Sequence, residues 1–272
     1  MMPQTSAQRP ALTLHHRKSI GRLTDQQLSD VRRAYSTVLP IQDERGYNHH
    51  AGIHGLPLPI YCKHGDLLFL PWHRAYLYFF ELALQDQVPE VSLPWWYWTS
   101  RSAHTSGIPQ AYAAERVNGQ DDPLYSAPIP EIARQQGSRL LGGEPPTETF
   151  RRPRRPDDLP SLEEIETTLD APNFVDFSNR MEGLHNWVHV WIGGTTAEVP
   201  WAAYDPLFWA HHAMVDRLWR IWQLRNPEAN LDRGLLRQAL PPFNITVEDT
   251  LDVTALGYEY ASTTHVVAGG GS

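Results

Sequence analysis

The chain of 272 residues and 31.0 kDa is long enough to bury a continuous core, as one large domain or two small ones. With 41% apolar, 11% aromatic and 20% charged residues it lies outside the composition of disordered chains. A formal charge of -8 and a pI near 5.9 give no general attraction for phosphate backbones or anionic lipid, so no nucleic-acid or membrane partner is expected.

The longest apolar runs, such as Leu67 to Trp72, are far shorter than the ~18 residues of a membrane span. Met1 to Pro10 lacks the apolar centre of a signal peptide, so the chain as given reads as cytoplasmic. One cysteine, Cys62, excludes an internal disulfide and any multi-cysteine metal site. Histidine, present 13 times, is the remaining ligand type of interest.

Residues 1–12 and the tail 263–272, with its glycine run, read as flexible ends. Thr24 and Gln27 stand at capping-box spacing before an apolar repeat at Leu28, Val31, Ala34, Tyr35 and Val38, which predicts an amphipathic helix. From Trp72 to Gln87 apolar residues cover almost the whole circumference behind Pro71, which predicts a buried central helix with His73 in its first turn. Between Ser100 and Pro160 the periodicity lapses. Nine prolines and the run Arg151 to Arg155 (RRPRR) read as a solvated surface excursion, not a packed element.

Ser161 and Glu164 form a second capping box, and a helix including Met181 to Val190 should follow. A last helix starts at the N-cap Asp205, has Pro206 in its first position and runs through Trp219 or Trp222. No alternation is long enough for a sheet. The expected fold is mainly α, a four-helix bundle core with long irregular loops.

His185 and His189 are four residues apart and so lie one above the other on a helix face, close enough to grip one metal ion. The same spacing also fits a polar stripe. His212, on the next helix, could close a three-histidine site. The N-terminal half carries a second set in His49, His50, His54, His64 and His73. Imidazole-only sets suit copper, zinc, iron or nickel, and two of them on one helical core could place two ions close together. No carboxylate bridge is suggested by spacing, which weighs against a dinuclear hydrolase.

The strings His64 to Leu77 (HGDLLFLPWHRAYL) and Asp205 to Trp219 (DPLFWAHHAMVDRLW) resemble the two copper-binding signatures of the type 3 copper proteins: tyrosinases, catechol oxidases and molluscan-type haemocyanins. The second string fits the family pattern D-P-x-F, aromatic, two residues, H, three residues, D at every fixed position. The resemblance runs from Arg17-Lys18 to Gly257-Tyr258-Glu259-Tyr260, which is similar to the family's closing tyrosine motif. It implies a single tyrosinase-like catalytic domain over 13–262, with the bundle holding a dinuclear copper site.

The same resemblance implies His54, His64 and His73 as ligands of one copper ion and His185, His189 and His212 as ligands of the other. His49 and His50 are rivals for the place of His54. His211, one residue off the motif, is expected to point its ring elsewhere on the helix, while His15, His16, His104 and His265 take surface or capping roles. Cys62 reads as a buried small hydrophobe, a reactive thiol or a thioether partner; its Cys-x-His arrangement with His64 resembles that in which some fungal and molluscan relatives link the sulfur to the imidazole, which implies the thioether. The run Leu93 to Thr99 (LPWWYWT) is similar to a family segment written L-P-Y-W-D-W, with Tyr97 in place of the aspartate. Its rings are read as core.

The resemblance implies two copper ions, dioxygen as co-substrate and small phenolic substrates. Monophenols would be hydroxylated and o-diphenols oxidised to o-quinones, with Glu182 and Asn186 assisting proton removal. Competing outcomes are a catechol or o-aminophenol oxidase, an oxygen carrier of haemocyanin type, and a zinc hydrolase. The short stretch after Tyr260 leaves no room for the plugging domain of carriers and zymogens, so an open pocket is expected. A separate helper protein that delivers copper, and with which the chain is secreted, fits the same reading.

Overall fold

The computed structural model describes residues 14–227 and 231–262. The flexible ends expected at 1–12 and 263–272, and His265, lie outside the described residues. Seven helices of eight residues or more form the body among them: α1 (Asp25–Val38), α2 (Tyr47–His54), α3 (Phe69–Gln85), α4 (Glu131–Leu141), α5 (Leu162–Leu169), α6 (Phe174–Ile192) and α7 (Pro206–Arg225). None is long and apolar enough to cross a membrane.

Local chemistry starts these helices as the sequence implies. Thr24 and Ser161 each close a full capping box, on Gln27 and Glu164. Asn173 caps α6 through Asp176 N–H, and Asp205 caps α7 through Leu207 N–H ahead of Pro206. α3 begins three residues earlier than the apolar run alone implies, because Pro71 is accommodated in the first turn, where its missing N–H costs nothing. His73 therefore sits in the second turn, not the first.

α3, α6 and α7 pack on one another, α1 packs on α3, and α2 packs on the short helix Val199–Ala202. Burial decides this order. α7 is covered from Pro206 to Trp219, while α1 buries only Val31, Ala34, Tyr35 and Val38. One contiguous apolar core carries Trp72, Trp96, Trp98, Trp191, Trp209, Trp219 and Trp222.

Two departures from the sequence reading concern the sheet and the excursion. Short ladders do form: β1 (His15–Arg17) pairs in parallel with β4 (Tyr258–Tyr260), and β2 (Arg116–Val117) pairs antiparallel with β3 (Gln120–Asp121). At two or three residues they are too short to leave a periodic signature. The segment 100–160 is also packed. It contains α4, and Tyr112, Leu124, Ala127, Ile129 and Ala133 join the core.

Arg151, the first residue of the basic run, is not a solvated surface cation. Its guanidinium grips the buried Asp205 carboxylate at 2.6 Å and donates to the Leu124 carbonyl at 3.1 Å. Asp205 needs a cation there, because a buried carboxylate left unpaired is far costlier than a paired one. Arg152, Arg154 and Arg155 do remain exposed.

Candidate metal centre

The helices bring two groups of histidines to the middle of the bundle. His54 at the end of α2, His64 on the following loop and His73 on α3 place one ring nitrogen each within 4.8 Å of one another. His185 and His189 on α6 and His211 and His212 on α7 do the same. The groups face each other: the His73 and His212 rings stack at 4.6 Å, and those of His64 and His185 at 5.7 Å.

Hydrogen bonds set the tautomers. His185 donates from Nδ1 to Asn186 Oδ1 at 3.0 Å, His189 from Nδ1 to the Thr196 carbonyl at 2.9 Å, and His73 from Nδ1 to the Phe69 carbonyl at 2.8 Å. With the proton on Nδ1, Nε2 carries a bare lone pair. The Nε2 atoms of His185 and His189 lie 2.9 Å apart, and both are 3.1 Å from His212 Nε2. The lone pairs of His185 and His189 repel at that distance unless a cation sits among them. Nε2 of His73 and both ring nitrogens of His54 are buried without a hydrogen-bond partner. Buried orphan polar atoms are expensive, and a metal ion would take up the lone pair of His73 Nε2 and that of the unprotonated nitrogen of His54. The donor sets thus fit borderline ions such as copper.

Electrostatics agree. Burial lowers the pKa of every one of these histidines, and mutual repulsion between the rings lowers most of them further. His189 falls to about 3, its hydrogen bond to Thr196 only partly opposing burial. The imidazoles are neutral at pH 7, the form that ligates metals. Phe208 stacks on His212 at 4.0 Å and stands 4.8 Å from His54, while Phe69 lies 4.9 Å from His73 and 4.8 Å from His185. These two rings pack against histidines of both groups. The sequence reading gave them no role, although both lie inside the two matched strings.

The Thr196 carbonyl reaches His189 through a turn only glycine makes easily. Gly193 and Gly194 have φ of 66° and 59°, and a Cβ on Gly194 would lie 2.1 Å from the Phe150 carbonyl oxygen. No side-chain motif marks such a backbone acceptor; the adjacent glycines after α6 are its one sequence signal.

The structure separates the rivals for the first group. His54 joins His64 and His73. His50 is buried against Phe80 instead, with its pKa lowered to about 4 by burial and by His49, and its own carbonyl accepts from Tyr76. His211 departs from expectation: its ring does not point away but stacks on His185 at 5.2 Å and meets His189 edge-on at 4.8 Å. His104 caps the Pro160 carbonyl at 3.1 Å.

Cys62 Sγ lies 3.7 Å from His64 Nδ1, and burial pushes its thiol up to about 12. Glu182, one turn before His185, accepts the Gly65 N–H at 2.6 Å and so reaches the residue next to His64. Burial raises its pKa, the Gly65 N–H lowers it and Asp66 raises it, with a net upward shift. His64 is partly exposed and Asn186 exposed, so solvent meets the centre on this side.

Two facing sets of neutral imidazoles on a helical bundle define a dinuclear metal protein of the type 3 copper class. Residues 44–225 match the common central domain of tyrosinase, and the chain belongs to that family. It is 33% identical over 222 residues to the tyrosinase of Streptomyces glaucescens, covering 71% of this chain and 78% of that one. It is 29% identical over 276 residues to haemocyanin A-type, units Ode to Odg, of Enteroctopus dofleini, covering 90% of this chain and 21% of that polypeptide. The chain thus spans only part of the haemocyanin polypeptides it resembles.

Among solved structures, a functional unit of octopus haemocyanin superposes with a TM-score of 0.77 at 27% identity, covering 92% of this chain and 69% of that one. The tyrosinase of Burkholderia thailandensis superposes with a TM-score of 0.80 at 24% identity, covering 94% and 76%, and supports the fold alone.

Proposed function

We propose that this protein is a dinuclear copper oxidase of small phenols. In this reading His54, His64 and His73 hold one ion, His185, His189 and His212 hold the other, and dioxygen is the co-substrate. Bound copper supplies two one-electron centres that together reduce dioxygen. The chain's own residues do the rest.

The observation that carries an enzyme over a carrier is the Glu182 carboxylate beside the partly exposed His64. A carrier needs neither substrate access nor a base. Phenol hydroxylation needs both, because the phenol must lose its proton as it approaches. Glu182, with its raised pKa, is the base in this reading. Asn186 fixes the His185 tautomer through its amide oxygen, which leaves its NH2 group to orient a water between base and phenol. Phe69 and Phe208 exclude water from the imidazoles.

The likeness to molluscan haemocyanins favours an oxygen carrier as the second reading. Copper-loaded protein given a monophenol and then an o-diphenol, with quinone formation and oxygen uptake followed together, decides between them. Quinone from both substrates supports the proposal. Quinone from the diphenol alone, even with a diphenol primer, leaves a catechol oxidase. Reversible oxygen uptake without quinone leaves a carrier.

A further inference from the structure

The run Leu93 to Thr99 has no part in phenol oxidation as proposed, yet it lies against the second histidine group. Trp98, fully buried, comes within 6.4 Å of His211, whose ring stacks at 5.2 Å on His185. Tyr97 is the covalent neighbour of Trp98 and is only half-buried, and its ring lies 5.5 Å from Trp95. The Arg217 guanidinium sits 4.1 Å from the Trp95 ring. Tyr97 occupies the place of an aspartate in the segment this run is similar to.

We propose that Trp98 and Tyr97 form an electron-supply strap that carries oxidising equivalents from the His185 and His211 imidazoles to the protein surface. Tryptophan and tyrosine lose one electron more readily than any other aromatic side chain, and here Trp98 lies inward near His211 while the step outward to Tyr97 runs along the chain through one peptide link. Arg217, 4.1 Å from the Trp95 ring and 5.9 Å from the Tyr97 ring, disfavours a positive charge on either ring, and the indole of Trp95, being nearer, bears the larger penalty. Tyr97 avoids this penalty because its phenol sheds a proton to solvent as it loses the electron, and so stays neutral.

The oxidant is a peroxide acting when no phenol is bound. Hydrogen peroxide takes up two electrons and two protons and leaves as two water molecules. The strap supplies the electrons singly: Trp98 gives one towards the imidazoles and regains it from Tyr97, whose proton goes to solvent. An external one-electron donor such as ascorbate then reduces the tyrosyl radical and returns the proton. Two such cycles balance each peroxide, and the imidazoles escape oxidation.

This inference rests on copper at the histidine groups, so metal analysis precedes the test. Copper-loaded and zinc-loaded protein are treated with hydrogen peroxide and a nitroso spin trap without phenol, and adducts and oxidised residues are located by peptide mapping. We expect a Tyr97 adduct with copper, none with zinc, and at least a fivefold loss of that adduct in Trp98→Phe at equal copper content. Tyr97→Phe should raise oxidation of His185 and His211 severalfold, and it decides the matter if Trp98→Phe fails to fold. Equal Tyr97 labelling with zinc, labelling unchanged in Trp98→Phe, or histidine oxidation unchanged in Tyr97→Phe would overturn the strap. Protein that labels Tyr97 only with copper but oxidises no phenol would overturn the proposed function and leave the strap standing.

Discussion

Arg74 and Asp216 meet at 2.5 Å in the centre of the bundle, one residue beyond His73 on α3 and one turn beyond His212 on α7. The pair therefore sets the distance between the two helices that carry facing imidazoles. Asp216 also accepts from Arg17 at 3.2 Å, Tyr258 at 2.7 Å and Tyr260 at 2.5 Å, so both ends of the described chain are tied to the same carboxylate. Burial pushes the Asp216 pKa up, but Arg74 and Arg17 hold it below the ordinary value.

Asp216→Asn keeps the shape but leaves Arg74 without a carboxylate partner and Arg17 with Glu81 alone. The expected cost is ~3–5 kcal/mol, the range for breaking a buried ion pair. Denaturant unfolding of the metal-free protein reads it directly; a loss under 1 kcal/mol would show that the network contributes little.

Replacing His189 or His212 by alanine should abolish oxidase activity and release one of two copper ions, because each removes an Nε2 from the 3 Å cluster. His211→Asn should keep both ions, since the Nε2 atoms of His185, His189 and His212 already converge within 3.1 Å of one another without it. Metal analysis by mass spectrometry is the check, and total copper loss in the His211 variant would make that residue a ligand.

For Glu182 the pKa is raised, so the carboxylate is protonated further up the pH scale than usual and acts as a base only above that point. Monophenol turnover relative to diphenol turnover should climb as pH rises through this range. Glu182→Gln should flatten the climb and lower monophenol turnover on the order of a hundredfold, with diphenol turnover little changed. Equal losses on both substrates would reduce Glu182 to a clamp on Gly65.

Copper-matured protein is expected to carry a thioether between Cys62 and His64, whose Sγ and Nδ1 are 3.7 Å apart before any bond forms. Intact mass should fall by two hydrogens, and the unfolded protein should offer no thiol to alkylate. A stoichiometric alkylation product would rule the bond out.

The metal-free fold should lose stability in acid. Buried neutral histidines have pKa values below 6.5, about 3 for His189 and about 4 for His50. Between those values and 6.5 the unfolded chain binds more protons than the folded one, so stability falls as pH falls through that window. Urea midpoints from pH 7 to 4 measure the slope, and bound copper should flatten it by competing with protons for the same nitrogens.

What the sequence by itself determined about this protein is what depends on neighbours within about a turn of helix. The capping boxes at Thr24 and Ser161, the start of α7 at Asp205-Pro206 and the shared face of His185 and His189 are all of this kind, because a helix places residues four apart together whatever surrounds it. Tertiary structure alone decided the rest. His64 is carried on a loop, and its approach to His54 and His73 depends on where α2 and α3 pack. Whether His50 or His54 faced the centre turned on which side of α2 met Phe80 and which met Phe208. Arg151 looked solvated among prolines until Asp205, 54 residues on, proved to be a buried carboxylate needing a cation. The acceptors that orient His73 and His189 are backbone carbonyls, which every residue owns, so only the packing could single out Phe69 and Thr196.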